Sequence, residues 1–120
     1  MLLNWTKTRT ALWLAGSTTT QPSYYMIGSG SGTVSATQTE LIAPWDRQAV
    51  TATNSSTSYK VKWTGDWDSV TMSGNQLREW GMTISGTDTT GSMWSRTSLN
   101  DAITFDGTTE LRIEETWEVF

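Results

Sequence analysis

The sequence predicts a mainly β domain: an antiparallel β-sandwich of about seven strands with a short N-terminal helix. Three observations point there. The chain of 120 residues holds 23 threonines, 14 serines and ten glycines but only two prolines, a composition weighted toward strand and turn formers. Eight tryptophans, three tyrosines and two phenylalanines supply large apolar side chains that a disordered chain does not keep. Apolar residues also recur at alternate positions in several short segments, each bounded by Gly, Asn, Asp or Ser. The length suits one domain over residues 1–120, able to bury roughly two-thirds of its unfolded surface around a core.

In chain order, Asn4 is placed to cap a helix in which Trp5, Thr8, Leu12 and Ala15 follow three/four spacing and Gly16 terminates. Ser17 to Pro22 reads as a polar loop. Ser23 to Gly28 reads as a strand running into the flexible turn Gly28-Ser29-Gly30-Ser31-Gly32. Thr37-Gln38-Thr39-Glu40 has capping-box form ahead of Leu41 and Ile42, and predicts one helical turn that Pro44 stops. Trp45 to Thr53 and Ser58 to Trp63 read as strands joined through Asn54-Ser55-Ser56-Thr57. The second alternates strictly, with Tyr59, Val61 and Trp63 opposed to Lys60, Lys62 and Thr64.

Gly65-Asp66 reads as a bulge or turn, after which Trp67, Val70 and Met72 suggest another extended piece ending at Ser73-Gly74-Asn75. Gln76 to Ser85 and Ser92 to Leu99 form the arms of a hairpin with a polar tip at 86–91. Asp106-Gly107 signals a turn. The last segment carries the strongest pattern: Leu111, Ile113, Trp117 and Val119 alternate with Glu110, Arg112, Glu114, Thr116 and Glu118, and Glu115 alone interrupts the inward set.

The chain has no cysteine and no histidine, so thiol nucleophiles, disulfides, imidazole metal sites and serine–histidine catalysis are excluded. A net charge of −4 offers no basic field for a phosphate backbone, so no nucleic-acid partner is expected. No apolar run reaches the ~18 residues of a spanning helix, and Met1 to Lys7 lacks the order of a signal peptide, so no membrane partner is expected either. The glycine–serine tract has Thr33 where a dinucleotide fingerprint needs glycine, and no lysine follows. Adjacent Glu114 and Glu115 point to opposite faces of a strand. Asp66 and Asp68 could share a turn but lack the longer ligand series of a calcium loop. Lys60 and Lys62 set against Glu110, Glu114 and Glu118 read as cross-strand pairs on a solvated face. Asn4-Trp5-Thr6 and Asn54-Ser55-Ser56 match the glycosylation pattern by accident in a chain read as unsecreted. No catalytic set, cofactor or metal site emerges.

The tryptophans divide. Trp63 and Trp117 lie on apolar faces of alternating strands and belong to the core. Trp5, Trp13, Trp45 and Trp67 are candidates for a protein interface, where tryptophan is enriched among dominant contacts. Leu2, Leu3 and Phe120 join them as apolar residues near the chain ends.

The order of motifs resembles a family of small tailed-bacteriophage virion proteins, found as tail-fibre, baseplate or adaptor components, over nearly the whole chain. The first half of the likeness lies in Trp13-Leu14-Ala15-Gly16, Tyr25-Met26-Ile27-Gly28-Ser29-Gly30, Thr37-Gln38-Thr39-Glu40-Leu41-Ile42-Ala43 and Arg47-Gln48-Ala49-Val50-Thr51. The second lies in Arg78-Glu79-Trp80-Gly81-Met82, Thr90-Gly91-Ser92-Met93-Trp94-Ser95-Arg96, and the alternating run from Glu110 to Phe120.

The resemblance implies a structural, non-enzymatic component of the virion, assembled in the host cytoplasm. It would join or form part of the tail, as fibre, baseplate or neck adaptor, through contacts with other virion proteins and with copies of itself in a cyclic oligomer such as a trimer or hexamer. Two alternatives stand beside it: a carbohydrate-binding β-sandwich using exposed tryptophans as platforms, and a capsid decoration or head-fibre protein.

Overall fold

The computed structural model describes residues 2–16, 21–55, 60–84 and 93–118. These form α1 (Asn4–Leu14), β1 (Tyr24–Gly28), β2 (Pro44–Ala49), β3 (Thr51–Ser55), β4 (Lys60–Trp67), α2 (Ser69–Met72), β5 (Gln76–Thr83), β6 (Met93–Thr104) and β7 (Leu111–Glu118). The protein is mainly β, with seven described strands in two antiparallel sheets arranged like a sandwich. Sheet A has the order β2-β1-β5-β6 and sheet B the order β3-β4-β7.

The main core lies between the sheets. Tyr25 and Ile27 from β1, Met82 from β5 and Trp94 from β6 meet Trp63 and Trp67 from β4 and Ile113 from β7. The alternation on β4 therefore runs on through Trp63, Gly65 and Trp67, and Gly65 neither bulges nor turns. The ring of Tyr25 takes the place of its side chain: a Cβ there would lie 2.6 Å from Tyr25 Cδ2. Tyr25 then reaches across the core and donates its hydroxyl to the Trp63 carbonyl at 2.9 Å. Burial, reinforced by the Glu115 charge, pushes the Tyr25 phenol up from its ordinary range.

Sheet A is covered on its other face as well. Met26 and Met93 point away from sheet B and cluster with Leu3 and Leu41. The N-terminal segment crosses here. Leu2 bridges to Ser95, the Leu3 amide bonds the Trp94 carbonyl, and Thr6 donates its hydroxyl to that same carbonyl. Leu3, just before α1, and Thr6 and Trp5 within it thus dock the N-terminal segment on β6. The Trp5 ring meets Trp94 edge-on at 6.2 Å and carries the Arg9 guanidinium 4.0 Å above its face.

Several local expectations are corrected by tertiary contacts. Residues 37–40 form no helical turn: the Gln38 side chain accepts from the Ser35 amide, and the Ile42 and Ala43 amides are taken by a side chain from β5. The stretch expected as one strand over 45–53 is two, one in each sheet, with the chain changing sheets at Val50. The extended piece expected from Trp67 to Met72 is instead the end of β4 followed by α2. Asp68 caps that helix, accepting from the Thr71 amide at 2.7 Å, which buries Met72 and leaves Val70 81% exposed. Strand β6 runs past Leu99 to Thr104, but four of its residues, 99–102, stand opposite Arg78 alone. The turn at Asp106-Gly107 forms as expected, with Gly107 at φ +94° and Asp106 accepting from the Thr108 amide and hydroxyl. The polar tip at 86–91 lies outside the described residues.

Candidate functional site

Two features stand apart from ordinary sandwich packing: a buried ionic clasp and an open strand edge. The clasp lies on the outer face of sheet A, where alternation places Glu79 of β5 and Arg96 of β6 on the same side as Gly81. Both side chains are fully buried and joined at 2.9 Å. Glu79 Oε1 accepts from the amides of Gly30 and Ala43, and Oε2 from the amide of Ile42 and from Arg96 Nε and Nη2. Arg96 Nη1 donates to the Gly32 carbonyl and to Gln38 Oε1.

Residues 29–43 are in this way strapped across the sheet. The glycine–serine tract read from sequence as a flexible turn is a fitted part. A Cβ on Gly28 would lie 2.5 Å from the Ala43 carbonyl oxygen, and one on Gly30 2.7 Å from Glu79 Oε1. Glycine is required by this close approach of backbone to carboxylate.

The open edge belongs to β7. Its eight residues pair with β4 in unbroken register from Lys60↔Glu118 to Trp67↔Leu111, and no described strand pairs with its other side. The solvent face carries the expected cross-strand charges. Lys62 stands 3.9 Å from Glu114, and Arg112 is bound by Asp66 at 2.7 Å, a contact that raises the Arg112 pKa. Asp66 is therefore an ion-pair partner on the solvent face of β4 and Asp68 the cap of α2 just beyond it, so the two carboxylates serve separate purposes. Hydrogen bonds to the Thr71 amide and hydroxyl hold Asp68 below the usual carboxylate range. Glu115, the interruption in the inward set, accepts from Ser95 Oγ and from Trp117 Nε1.

Two grooves follow that edge. One of about 280 Å³ lies between residues 111–114 and Leu77, Trp80, Leu99 and Ile103. The other, about 360 Å³, lies between residues 115–118 and Leu2 and Ser95. No group of three or more acidic side chains able to hold a metal ion occurs among the described residues, and no helix among them is long and apolar enough to cross a membrane.

The residues singled out from sequence as interface candidates fall in different places. Leu3 is fully buried and Trp67 is 3% exposed. Both are core residues, because Leu3 fills the pocket under the strap while Trp67 closes the main core and donates to Asp46 Oδ2 at 3.0 Å. This also removes Trp67 as an open sugar platform. Trp5 and Trp45 are half-buried, packed against the core, and Trp45 donates to the Gln76 carbonyl. Leu2 remains 43% exposed at the rim of the second groove. Trp13 lies on α1 with its side chain outside the description, and Phe120 lies outside the described residues. Trp63 is buried, and Trp117 packs on it with ring centroids 4.5 Å apart.

Glu79 and Arg96 carry no function in the sequence reading. The available signal was parity: Glu79 falls in the same strand register as Gly81, with an arginine on the next strand and a glycine tract needing a partner.

The architecture and its contacts define a two-sheet β protein whose buried charges hold a strap in place. No protein-family model, curated protein or solved structure matches the chain.

Proposed function

We propose that the protein is a structural component of a bacteriophage virion, joining or forming part of the tail as a fibre, baseplate or neck-adaptor element through protein–protein contacts. The observation that carries the attachment role is the β7 edge: eight residues long, regular, without proline and bordered by grooves. Such an edge presents unpaired main-chain groups to another chain. The motif order described above supplies the virion context. The clasp supports the same reading in mechanical terms, since it fixes the strap over sheet A and gives a joint a rigid body from which to bind. In this reading copies of the protein assemble in a ring, and symmetry multiplies weak single contacts into firm attachment.

Light scattering at micromolar protein, together with localisation in purified particles, tests the proposal. A defined cyclic oligomer and a place at the tail are expected. A clean monomer that binds no other virion protein would overturn it, and a place on the capsid would move the attachment point to the head.

A further inference from the structure

The β7 edge is specific about what it accepts. We propose that it takes one extended segment of another protein chain, alternating apolar and basic residues, as a fourth strand of sheet B. This deepens the attachment reading above and rests on it.

The two grooves are lined by consecutive residues, 111–114 in one and 115–118 in the other. Successive side chains of a strand point to opposite faces. A groove touched by every residue in turn therefore runs along the main-chain edge, and its natural occupant is a strand. The sheets also differ in width, four strands against three. Where a fourth strand of sheet B would lie over β6, Leu99 is half-buried and Ile103 is 47% exposed. An added strand would cover both with its inward side chains.

The other edges are less receptive. Strand β2 opens on Pro44 and shifts register against β1 at Gly28, β3 has five residues, and β6 is broken by the excursion at 99–102 and crossed near its start by Leu2. Bulges, proline and short length each blunt an edge, as does an inward-pointing charge; β7 has none of the first three, and its inward charge, Glu115, is taken up by Ser95 and Trp117.

Charge selects the outward side chains of the occupant. On its solvent face β7 presents Glu114 and Glu118, while its one basic residue, Arg112, is held by Asp66 at 2.7 Å and stands 3.9 Å from Glu114. Strand β4 shows the answering chemistry from the side already paired, with Lys60 opposite Glu118 and Lys62 beside Glu114. The open side calls for the same alternation of basic and apolar residues. A second β7 answers poorly in the antiparallel register centred on Glu114, where Glu114 faces Glu114 and Glu110 faces Glu118, since like charges directly opposite are destabilising; the register centred on Ile113 sets Arg112 against Glu114, but that arginine is already engaged by Asp66 and Glu114 of its own chain.

The test uses the full chain and the probe peptide acetyl-Lys-Val-Lys-Val-Lys-Val-amide at up to about 1 mM. Amide hydrogen exchange and NMR titration read residues 111–118. The expected result is slowed exchange along β7, at least tenfold weaker binding when glutamate replaces lysine in the peptide, and loss of binding when every peptide nitrogen is methylated. In the protein carrying Glu114→Lys and Glu118→Lys the preference should reverse toward the glutamate peptide.

Equal binding of both peptides, binding that survives N-methylation, or absence of protection on β7 would each overturn the proposal. So would protection of β7 that rises with protein concentration alone, which would make the occupant a second copy. Failure of the peptide with the protein still located in particles removes only this partner chemistry. Binding of the peptide by a protein absent from particles removes only the virion placement.

Discussion

Replacing Glu79 by glutamine should destabilise the protein more than replacing Arg96 by methionine, although the two form one ion pair. Breaking a buried pair by removing one partner costs about 3–5 kcal/mol, because the other charge is left in the interior. The two partners differ in what else they hold. Without Arg96, the Glu79 carboxylate still accepts from the amides of Gly30, Ile42 and Ala43. Three charge-assisted bonds from fixed N–H groups compensate much of its burial. With glutamine at 79, if the carbonyl takes the position of Oε1, the side-chain NH₂ meets the Ile42 amide and the Arg96 guanidinium donor to donor. That orphans a main-chain N–H, worth roughly 1–3 kcal/mol more, and takes the Glu79 carboxylate away from a fully buried guanidinium. On a total stability of about 5–15 kcal/mol, Arg96→Met leaves a measurable fold and Glu79→Gln brings it near its limit. Urea unfolding followed by tryptophan fluorescence measures both, and amide exchange at Ile42 and Ala43 reports the strap. Equal costs, a milder Glu79→Gln, or unchanged exchange at Ile42 would refute the view that Glu79 is the anchor of the strap.

Gly65→Ala should cost about 1–3 kcal/mol by urea unfolding, since its Cβ would press into the Tyr25 ring from a β-strand that cannot retreat without disturbing two neighbours. Asp68 and Asp106 are held below the usual carboxylate range, Asp68 chiefly by the Thr71 amide and Asp106 chiefly by the Thr108 hydroxyl. Folding thus favours their ionised forms: the stabilisation is complete above about pH 4 and is lost as pH falls through the lowered folded values. The double variant Asp68→Asn, Asp106→Asn should flatten the acid limb of the urea midpoint plotted against pH, and an unchanged limb would assign it to other carboxylates.

The strands with one buried face were legible because alternation is a local record of it. Lys60 to Trp63 and Leu111 to Trp117 read correctly down to the opposition of lysines and glutamates. What failed to read locally was set by the second cover on sheet A. Residues 37–43 carry a sound capping box, but Glu79 accepts the amides of Ile42 and Ala43 from across 37 and 36 residues of chain, and a local helix preference of a few tenths of a kcal/mol per residue does not compete with that. Val70 and Met72 have strand spacing, yet Asp68 supplies a cap and α2 forms. The glycine–serine tract looks flexible because flexibility and close approach call for the same residue.

The surplus of tryptophan has a different origin. Trp63, Trp67 and Trp94 are buried in the main core and Trp5, Trp45, Trp80 and Trp117 pack against it, whereas the cluster on the other face of sheet A is built from Leu3, Met26, Leu41 and Met93. Trp94 is fully buried although its strand showed little alternation around it, because the register shift between Met82 and Thr83 lets Trp94 and Ser95 both serve the inner side while Met93 turns outward. Large side chains used this way are fixed at both ends. Trp94 contacts Trp5 and Trp117, linking helix, sheet A and the β7 edge in one line of rings.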